Sequence, residues 1–501
     1  MAKTLLLSGF ELQQVDLPDD ARLYWPPLPL PGLERFGDVA ARALDEPVGG
    51  EPLVSLLSSS TKVCVVLDDP SLPVPMAFRD CRQEMLEAVL EVCAAKRVRP
   101  DRITVLVANG LNRQWRHAEL AEWLSPQTLA RVGVRCHDAE AGSELLRLGE
   151  EPEGPVELHR AVVEADLVVH LSVVSMPLLA GPMGLVGGVA GYRTARFLCA
   201  PNLFVDDPSP LVPGSKYHQA HLAVAKHLFA RTRVVQLAAV LNTQLWTSAL
   251  SALLRSDGEL TRPLQMWNAL PAAVRHRAAR LVKASYRPIA ALFGSPDEVA
   301  PRAREVFLRQ HEVEADGPAD VVVFGLPDIG PYSVRTAQNP VLAAHLALGL
   351  VANLFSEQPL LRPGGVLIFA NPLTPVFDRH AHLAHEEFYE KVLRLERDPL
   401  AIHERFEPYF AGRPELISSY QRRFAFHGTH PLYLWYQCTP ARKRAGRIIV
   451  AHGDPRACAR LGFMPATDVS DALVKAKDFL GQSQPSVAVL QLPPPFFVRV
   501  G

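Results

Sequence analysis

Charge of one sign is what this sequence lacks most plainly: 52 basic residues stand against 53 acidic ones. A partner chosen by overall charge, nucleic acid or an anionic membrane, is therefore not expected. Cysteine is sparse. The seven thiols form no CxxC pair and no even framework, which speaks against a disulfide scaffold and fits buried thiols in a reducing compartment. The opening MAKTLLLSGFELQQVDLPDD carries one lysine and too short an apolar run for a secretory signal, so a cytoplasmic protein is expected. GxxxxGK followed by Ser or Thr, GxGxxG with an acidic residue downstream, and GxSxG are all missing in a fitting context. ATP hydrolysis, nicotinamide redox chemistry and esterase chemistry thus have no support.

Long apolar helices are missing too. The uncharged stretch of spanning length, the 26 residues from Leu167 to Tyr192, holds Pro177, Pro182 and five glycines. These interrupt a helix, so LVVHLSVVSMPLLAGPMGLVGGVAGY reads as a buried strand opening into a Gly- and Pro-rich loop, not as a membrane span. At a strand's carboxyl end such a loop lets backbone approach a ligand closely.

What is present is alternation. TKVCVVLDD, RITVLVANG, VGVRCHD, ADLVVHLSVV and TRVVQLAAVLN are strand-like, with helical segments among them. A stretch from about Leu260 to Gln310 reads as helical and solvated, with Arg275, Arg277, Arg280 and Arg287 scattered along it. ADVVVFGLPD, GGVLIFANP, AGRIIVAHG and PSVAVLQLP then form a second series. The expected fold is α/β, with two α/β domains of largely parallel sheets and a cleft between them. The expected divisions are an N-terminal domain over 1–260, a helical connecting insertion over 261–310 and a C-terminal domain over 311–501.

Two groups of residues carry candidate chemistry. Asp68, Asp69, Asn112 and Arg113 follow strand ends on the ligand-facing edge. Arg113 and the Asn112 amide could hold a small polar ligand, with Asp69 orienting Arg113 or accepting a hydroxyl. The plainer reading makes Asp69 a turn cap. Arg335, in GPYSVRTAQNPVLAAH, is a further candidate facing the cleft, while Asn339 reads as a cap before Pro340. The second group is histidine: six of 17 fall between His380 and His430. On a helix His382, His385 and Glu386 would share one face, and HGTHP adds His427 and His430, a donor set a divalent metal accepts. The plainer reading pairs these histidines with backbone. Tyr433, Trp435 and Tyr436 read as core or domain interface.

The loops also resemble those of a known family. LDDPSLPVP resembles the DHTRPVP segment of the nickel-dependent lactate racemases, and ANGLNRQWRHAEL resembles their ATGxHRxxTxEEL. PVELHRAVVEADLVVHLSVV, with LLAG and GGVAGYRT, resembles their strand and cofactor loop, GSKYHQAHLAVAKHL the next helix, and AGRIIVAHG through SDALVKAKDFLG the C-terminal part. The resemblance implies two α/β domains around a nickel-pincer nucleotide that racemises 2-hydroxy acids by hydride transfer.

Its departures matter as much. The resemblance implies a cofactor-anchoring lysine in the glycine-rich loop, yet no lysine occurs between Lys96 and Lys216. It implies a nickel-binding histidine beyond that loop, yet no histidine occurs between His170 and His218. Asn112 and Pro177 stand where it implies the two acid/base histidines, and Leu72 where it implies the arginine holding the substrate carboxylate. Neither Asn112 nor Pro177 has a titratable group, and leucine has no bidentate fork.

The reading is a lactate-racemase-family protein with a degenerate nickel-pincer site. It is expected to bind a small hydroxy-acid-like ligand in the interdomain cleft without racemising it by the family mechanism. Any activity would be of isomerase type. One alternative is a metal-dependent hydrolase or isomerase built on the His380–His430 cluster. Another is an active 2-hydroxy acid racemase or epimerase with an untethered nickel cofactor. A third is a ligand-sensing or assembly subunit. A small-molecule partner, no nucleic acid, no membrane and an open oligomeric state complete the expectation.

Overall fold

The computed structural model describes residues 2–247, 250, 251, 254 and 258–501. Its first sheet has six strands in the order Pro288–Gly294, Arg233–Leu241, Leu167–Val174, Val63–Asp68, Ile103–Ala108 and Val134–Cys136. All neighbours are parallel except Pro288–Gly294, which runs antiparallel to Arg233–Leu241. Every residue of Val63–Asp68 and of Leu167–Val174 is buried. That is why these strands read as unbroken apolar runs: helices cover both faces of a parallel sheet.

The second sheet also has six strands, Met464–Ala466, Arg447–Ala451, Leu361–Ala370, Ala319–Gly325, Val487–Leu490 and Arg22–Tyr24, all parallel. Its last member comes from the chain's beginning. The hairpin of Ala2–Ser8 and Glu11–Leu17 also packs here, with Leu6, Val15 and Leu17 in one core with Val321 and Val489. The first two dozen residues thus belong physically with the second sheet. Sequence pattern did not show this, because a three-residue edge strand has too few positions to display a period.

Two further differences concern the middle of the chain. The stretch expected to be helical from about Leu260 to Gln310 has helices at Arg262–Ala269, Ala272–Leu281 and Pro296–His311, but Pro288–Gly294 between them is the edge strand of the first sheet. The Gly- and Pro-rich segment after Leu167–Val174 is not an open loop. It folds into a 3-10 turn, Pro177–Ala180, and a short helix, Met183–Gly188. Among the described residues no helix is long and apolar enough to cross a membrane.

The halves are joined by buried polar contacts. Glu407 accepts hydrogen bonds from the hydroxyls of Tyr192 and Tyr433 and from Arg196 Nε. Tyr420 donates its hydroxyl to Gly110 O at 2.8 Å and receives Ala139 N–H at 3.1 Å. Tyr433, Trp435 and Tyr436 are buried, with Trp435 in the main core that both sheets share.

Candidate functional site

In an open α/β sheet the crevice for a ligand lies where the strand order reverses, outside the carboxyl ends. In the first sheet that point falls between Val63–Asp68 and Leu167–Val174, and in the second between Ala319–Gly325 and Val487–Leu490. The segments leaving all four strands line one cavity of about 450 Å³: Leu72–Pro75, Ser175 and Met176, Leu326 and Pro327, and Leu492–Pro495. Leu264, Trp267, Ala279 and Val282 of the helical insertion add a further wall. Polar groups in the wall are mostly engaged. Asn242 receives Arg287 N–H at 3.0 Å and donates to Leu30 O at 2.8 Å. His311 Nε2 donates to Leu241 O at 2.9 Å, and burial holds its pKa down to about 4. Ser175 Oγ and Trp246 Nε1, also in the wall, have no hydrogen-bond partner among the described residues.

Beside the cavity lies a polar arrangement that the sequence offered as two separate groups. Asp69 Oδ1 accepts from Ser71 N at 2.9 Å, Ser71 Oγ at 2.9 Å and Trp115 Nε1 at 3.0 Å. This is the turn-capping role. Asn112 Nδ2 donates to Asp69 Oδ2 at 2.7 Å, leaving Asn112 Oδ1 to accept from His430 Nε2 at 3.1 Å. His430 Nδ1 is then a bare acceptor and faces His385 Nε2 at 3.1 Å, so His385 Nε2 carries the hydrogen. His385 Nδ1 is left as a buried acceptor without a partner among the described residues. Next to it, with ring centroids 4.9 Å apart, His382 Nδ1 accepts from Asp378 N and Asn339 Nδ2, each at 3.2 Å. Its hydrogen therefore sits on Nε2, also without a partner among the described residues. Burial lowers His382 to about 4 and places His385 and His430 well below the usual imidazole value. Neutral rings are what this directional chain requires. Burial also raises the Asp69 carboxyl, against the lowering effect of its hydrogen bonds to Asn112, Ser71 and Trp115.

The remaining candidates are elsewhere or committed. Arg113 is buried in a two-pronged pair with Glu119, at 2.9 and 3.1 Å, and lies over the Trp115 ring. Burial acts to raise Glu119, but the hydrogen bonds and charge of Arg113 bring it below the usual carboxylate value. Arg335 pairs with Glu122. Neither arginine lines the cavity. Asn339 caps its helix through Val341 and Leu342 N–H, as the plainer reading expects.

The five proposed metal donors do not form one set. His382 is the residue before the helix Leu383–Glu387, not a member of it, so the shared face expected with Glu386 is lost, and Glu386 is exposed. His427 pairs with Glu140 at 2.8 Å and stacks on Tyr192. Among the described residues no group of three His, Cys, Asp or Glu could hold a metal ion.

The nickel-pincer nucleotide implied by the resemblance meets a poor fit in this geometry. The glycines of the expected cofactor loop are spent on close packing. A Cβ at Gly184 would stand 2.6 Å from Asp68 Oδ1, and one at Gly188 would stand 2.4 Å from Ala108 Cβ and O. Asp68 itself is held by His170 Nε2 at 2.8 Å and Val173 N at 3.0 Å. No lysine or histidine projects from this segment.

Residues 9–197 match the family model described as the lactate racemase N-terminal domain. Across all 501 residues the fold follows that of the lactate racemase apoprotein from Thermoanaerobacterium thermosaccharolyticum, with a TM-score of 0.67, full coverage of both chains and 17% identity. Residues 9–197 thus form a lactate racemase N-terminal-type domain, and the chain as a whole has the lactate racemase fold. Among curated relatives, the lactate racemase of Lactiplantibacillus plantarum is 23% identical over 214 residues, 42% of this chain and 47% of that protein. The lactate racemase of T. thermosaccharolyticum is 24% identical over 161 residues, 31% of this chain and 36% of that protein. The chain thus spans about half or less of the curated relatives it matches in sequence. A Thermotoga maritima protein shares the fold at a TM-score of 0.55 and 13% identity, over 95% of this chain and all of that one.

Sequence reasoning on this lactate racemase-like chain missed several functional neighbours. Trp115, Glu119 and Glu407 gave no signal because each acts through a partner distant in sequence or a turn away. The cavity wall was equally hidden: Leu72, Trp267 and Pro493 lie far apart in sequence and share no motif.

Proposed function

We propose that this lactate racemase-like protein binds a small, predominantly apolar molecule in the cavity between its two sheets and does not racemise 2-hydroxy acids by the family's chemistry. The observation that carries this reading is Leu72. It stands where the resemblance implies a carboxylate-holding arginine, and it forms part of the cavity wall. A carboxylate placed there would leave water without a cationic partner, which is costly in an apolar enclosure. About 450 Å³ suits a small molecule, and such sites are mostly apolar with a few polar groups. The hydroxy-acid ligand expected from sequence relied on Arg113 and Arg335, and both are spent on carboxylates of this chain.

Racemisation is not expected on a related ground: His311, the imidazole in the cavity wall, is turned to Leu241 O through Nε2, and the other candidate bases lie elsewhere. Proton abstraction needs a titratable base within hydrogen-bond reach of the substrate. Asp69, His382, His385 and His430 are absent from the cavity wall.

Trp246 and Trp267 line the cavity and report its occupancy. Titration with decan-1-ol is expected to change their fluorescence saturably, while lactate leaves it unchanged. Saturable binding of lactate with no response to the alcohol would reverse the assignment.

A further inference from the structure

The overall balance of charge conceals a local excess. Between Arg262 and Pro296 the chain carries Arg262, Arg275, Arg277, Arg280, Lys283 and Arg287 and no aspartate or glutamate. This stretch begins with the consecutive helices Arg262–Ala269 and Ala272–Leu281. Their inner side is fastened to the N-terminal hairpin. Trp267 Nε1 donates to Phe10 O at 2.7 Å, Asn268 exchanges hydrogen bonds with Leu12 at 2.6 and 3.0 Å, and Arg275 reaches Glu11 at 3.2 Å.

Their outer side is unlike ordinary protein surface. Met266 is 72% exposed, Leu281 76% and Val274 47%. Val274 and Leu281 are seven residues apart on one helix, hence on one face, with Arg277 beside them. Phe78, 75% exposed, has its backbone next to this helix's end, where its N–H bonds to Ala284 O at 2.9 Å, three residues beyond Leu281. Arg262, Arg277 and Lys283 are exposed and have no ion-pair partner among the described residues. Single exposed apolar side chains need no explanation, but a cluster of them flanked by uncompensated cations does.

We infer that the outer face of these two helices, with Phe78, docks on an anionic lipid surface. Apolar side chains would enter the headgroup–acyl boundary while the cations meet lipid phosphates and carboxylates. The attachment is peripheral, since no described helix is long and apolar enough to span. A protein partner would leave the uncompensated cations needing a matching acidic surface, and a nucleic acid would leave the apolar side chains without contact. The inference rests on this surface alone, independent of what occupies the cavity. Leu264 and Trp267 of the same helices do line that cavity, so docking would bring it next to the lipid.

The test is flotation of the full chain with vesicles of phosphatidylcholine alone and of phosphatidylcholine mixed with phosphatidylserine. Binding is expected only to the mixed vesicles and is expected to weaken with salt. At about 1 kcal/mol per cation near the surface, the double variant Arg277→Gln/Lys283→Gln should bind about thirtyfold more weakly. Met266→Ser/Leu281→Ser should lose binding as well. Both variants alter exposed side chains, and unchanged circular dichroism and unchanged decan-1-ol titration would show the fold and cavity intact. Equal binding to both vesicle types, or binding indifferent to either variant, overturns the inference. So does tight binding of single-stranded RNA that Met266→Ser/Leu281→Ser leaves intact, or a dimer that this variant dissociates.

Discussion

The cavity and the imidazole chain lie side by side at one junction, and Leu72 of the first is three residues from Asp69 of the second. They differ in how their polar groups are spent. Along His385, His430, Asn112 and Asp69 each donor meets an acceptor, and among the described residues the acceptor His385 Nδ1 is what is left over. In the cavity most of the surface is apolar and the principal polar groups are turned to backbone. A titratable residue near a cleft is therefore not yet a catalytic one. It must also have a free atom facing the substrate.

The widest gap between the two regions should appear on acidification. His382, held down to about 4, and His385 and His430, held well below 6.5, bind fewer protons folded than unfolded. Their stabilisation is complete above about pH 6.5 and is lost as pH falls, at up to about 1.4 kcal/mol per unit for each ring. Asp328, raised to about 6 by burial, acts in the opposite sense, and its contribution is lost as pH rises through 6. Asp69 and Asp138, also raised by burial, act like Asp328, but the buried histidines His137, His221, His311 and His345 are lowered as well and outnumber the carboxyls, so the urea midpoint should drop between pH 7 and pH 5. A flat profile would mean the rings are not neutral and buried as described.

Substitution within the chain comes next. Asn112→Leu leaves His430 Nε2–H and Asp69 Oδ2 unpaired and should cost about 3 kcal/mol in chemical denaturation. Decan-1-ol affinity of the folded variant should change little. Conversely, Leu72→Arg brings a charge into the cavity wall and should weaken decan-1-ol binding by tenfold or more, without conferring lactate binding. Arg335→Ala removes a partly exposed ion pair with Glu122 and should shift stability by less than about 1 kcal/mol and ligand binding not at all. A large loss of binding there would put Arg335 back at the cleft.

Much of this was legible in the sequence. Runs such as VVLDD and LVVHLSVV announced buried parallel strands, because both faces of such strands must be apolar. The loops resembled those of the lactate racemases, whose N-terminal domain model residues 9–197 match, and Asp69, Asn112, His382, His385 and His430 do converge at the junction. Their convergence into one chain was not legible, since Asn112 and His430 are 318 residues apart and no local period links them. Helical spacing misplaced Glu386, because the helix begins only after His382. The glycine-rich segment misled for a related reason: close backbone approach suits a ligand and a neighbouring strand equally, and here Ala108 and Asp68 take the space. Net charge hid the basic face of the insertion by averaging it over 501 residues.

The most direct test is the interconversion of D- and L-lactate, followed by chiral chromatography, with protein purified from cells that make the pincer nucleotide. The arrangement of Leu72, Asn112 and the enclosed histidines predicts no interconversion above the uncatalysed background. Sustained racemisation by the wild-type chain, lost in Asn112→Leu, would contradict it and return the Asn112–His430 chain to the active site.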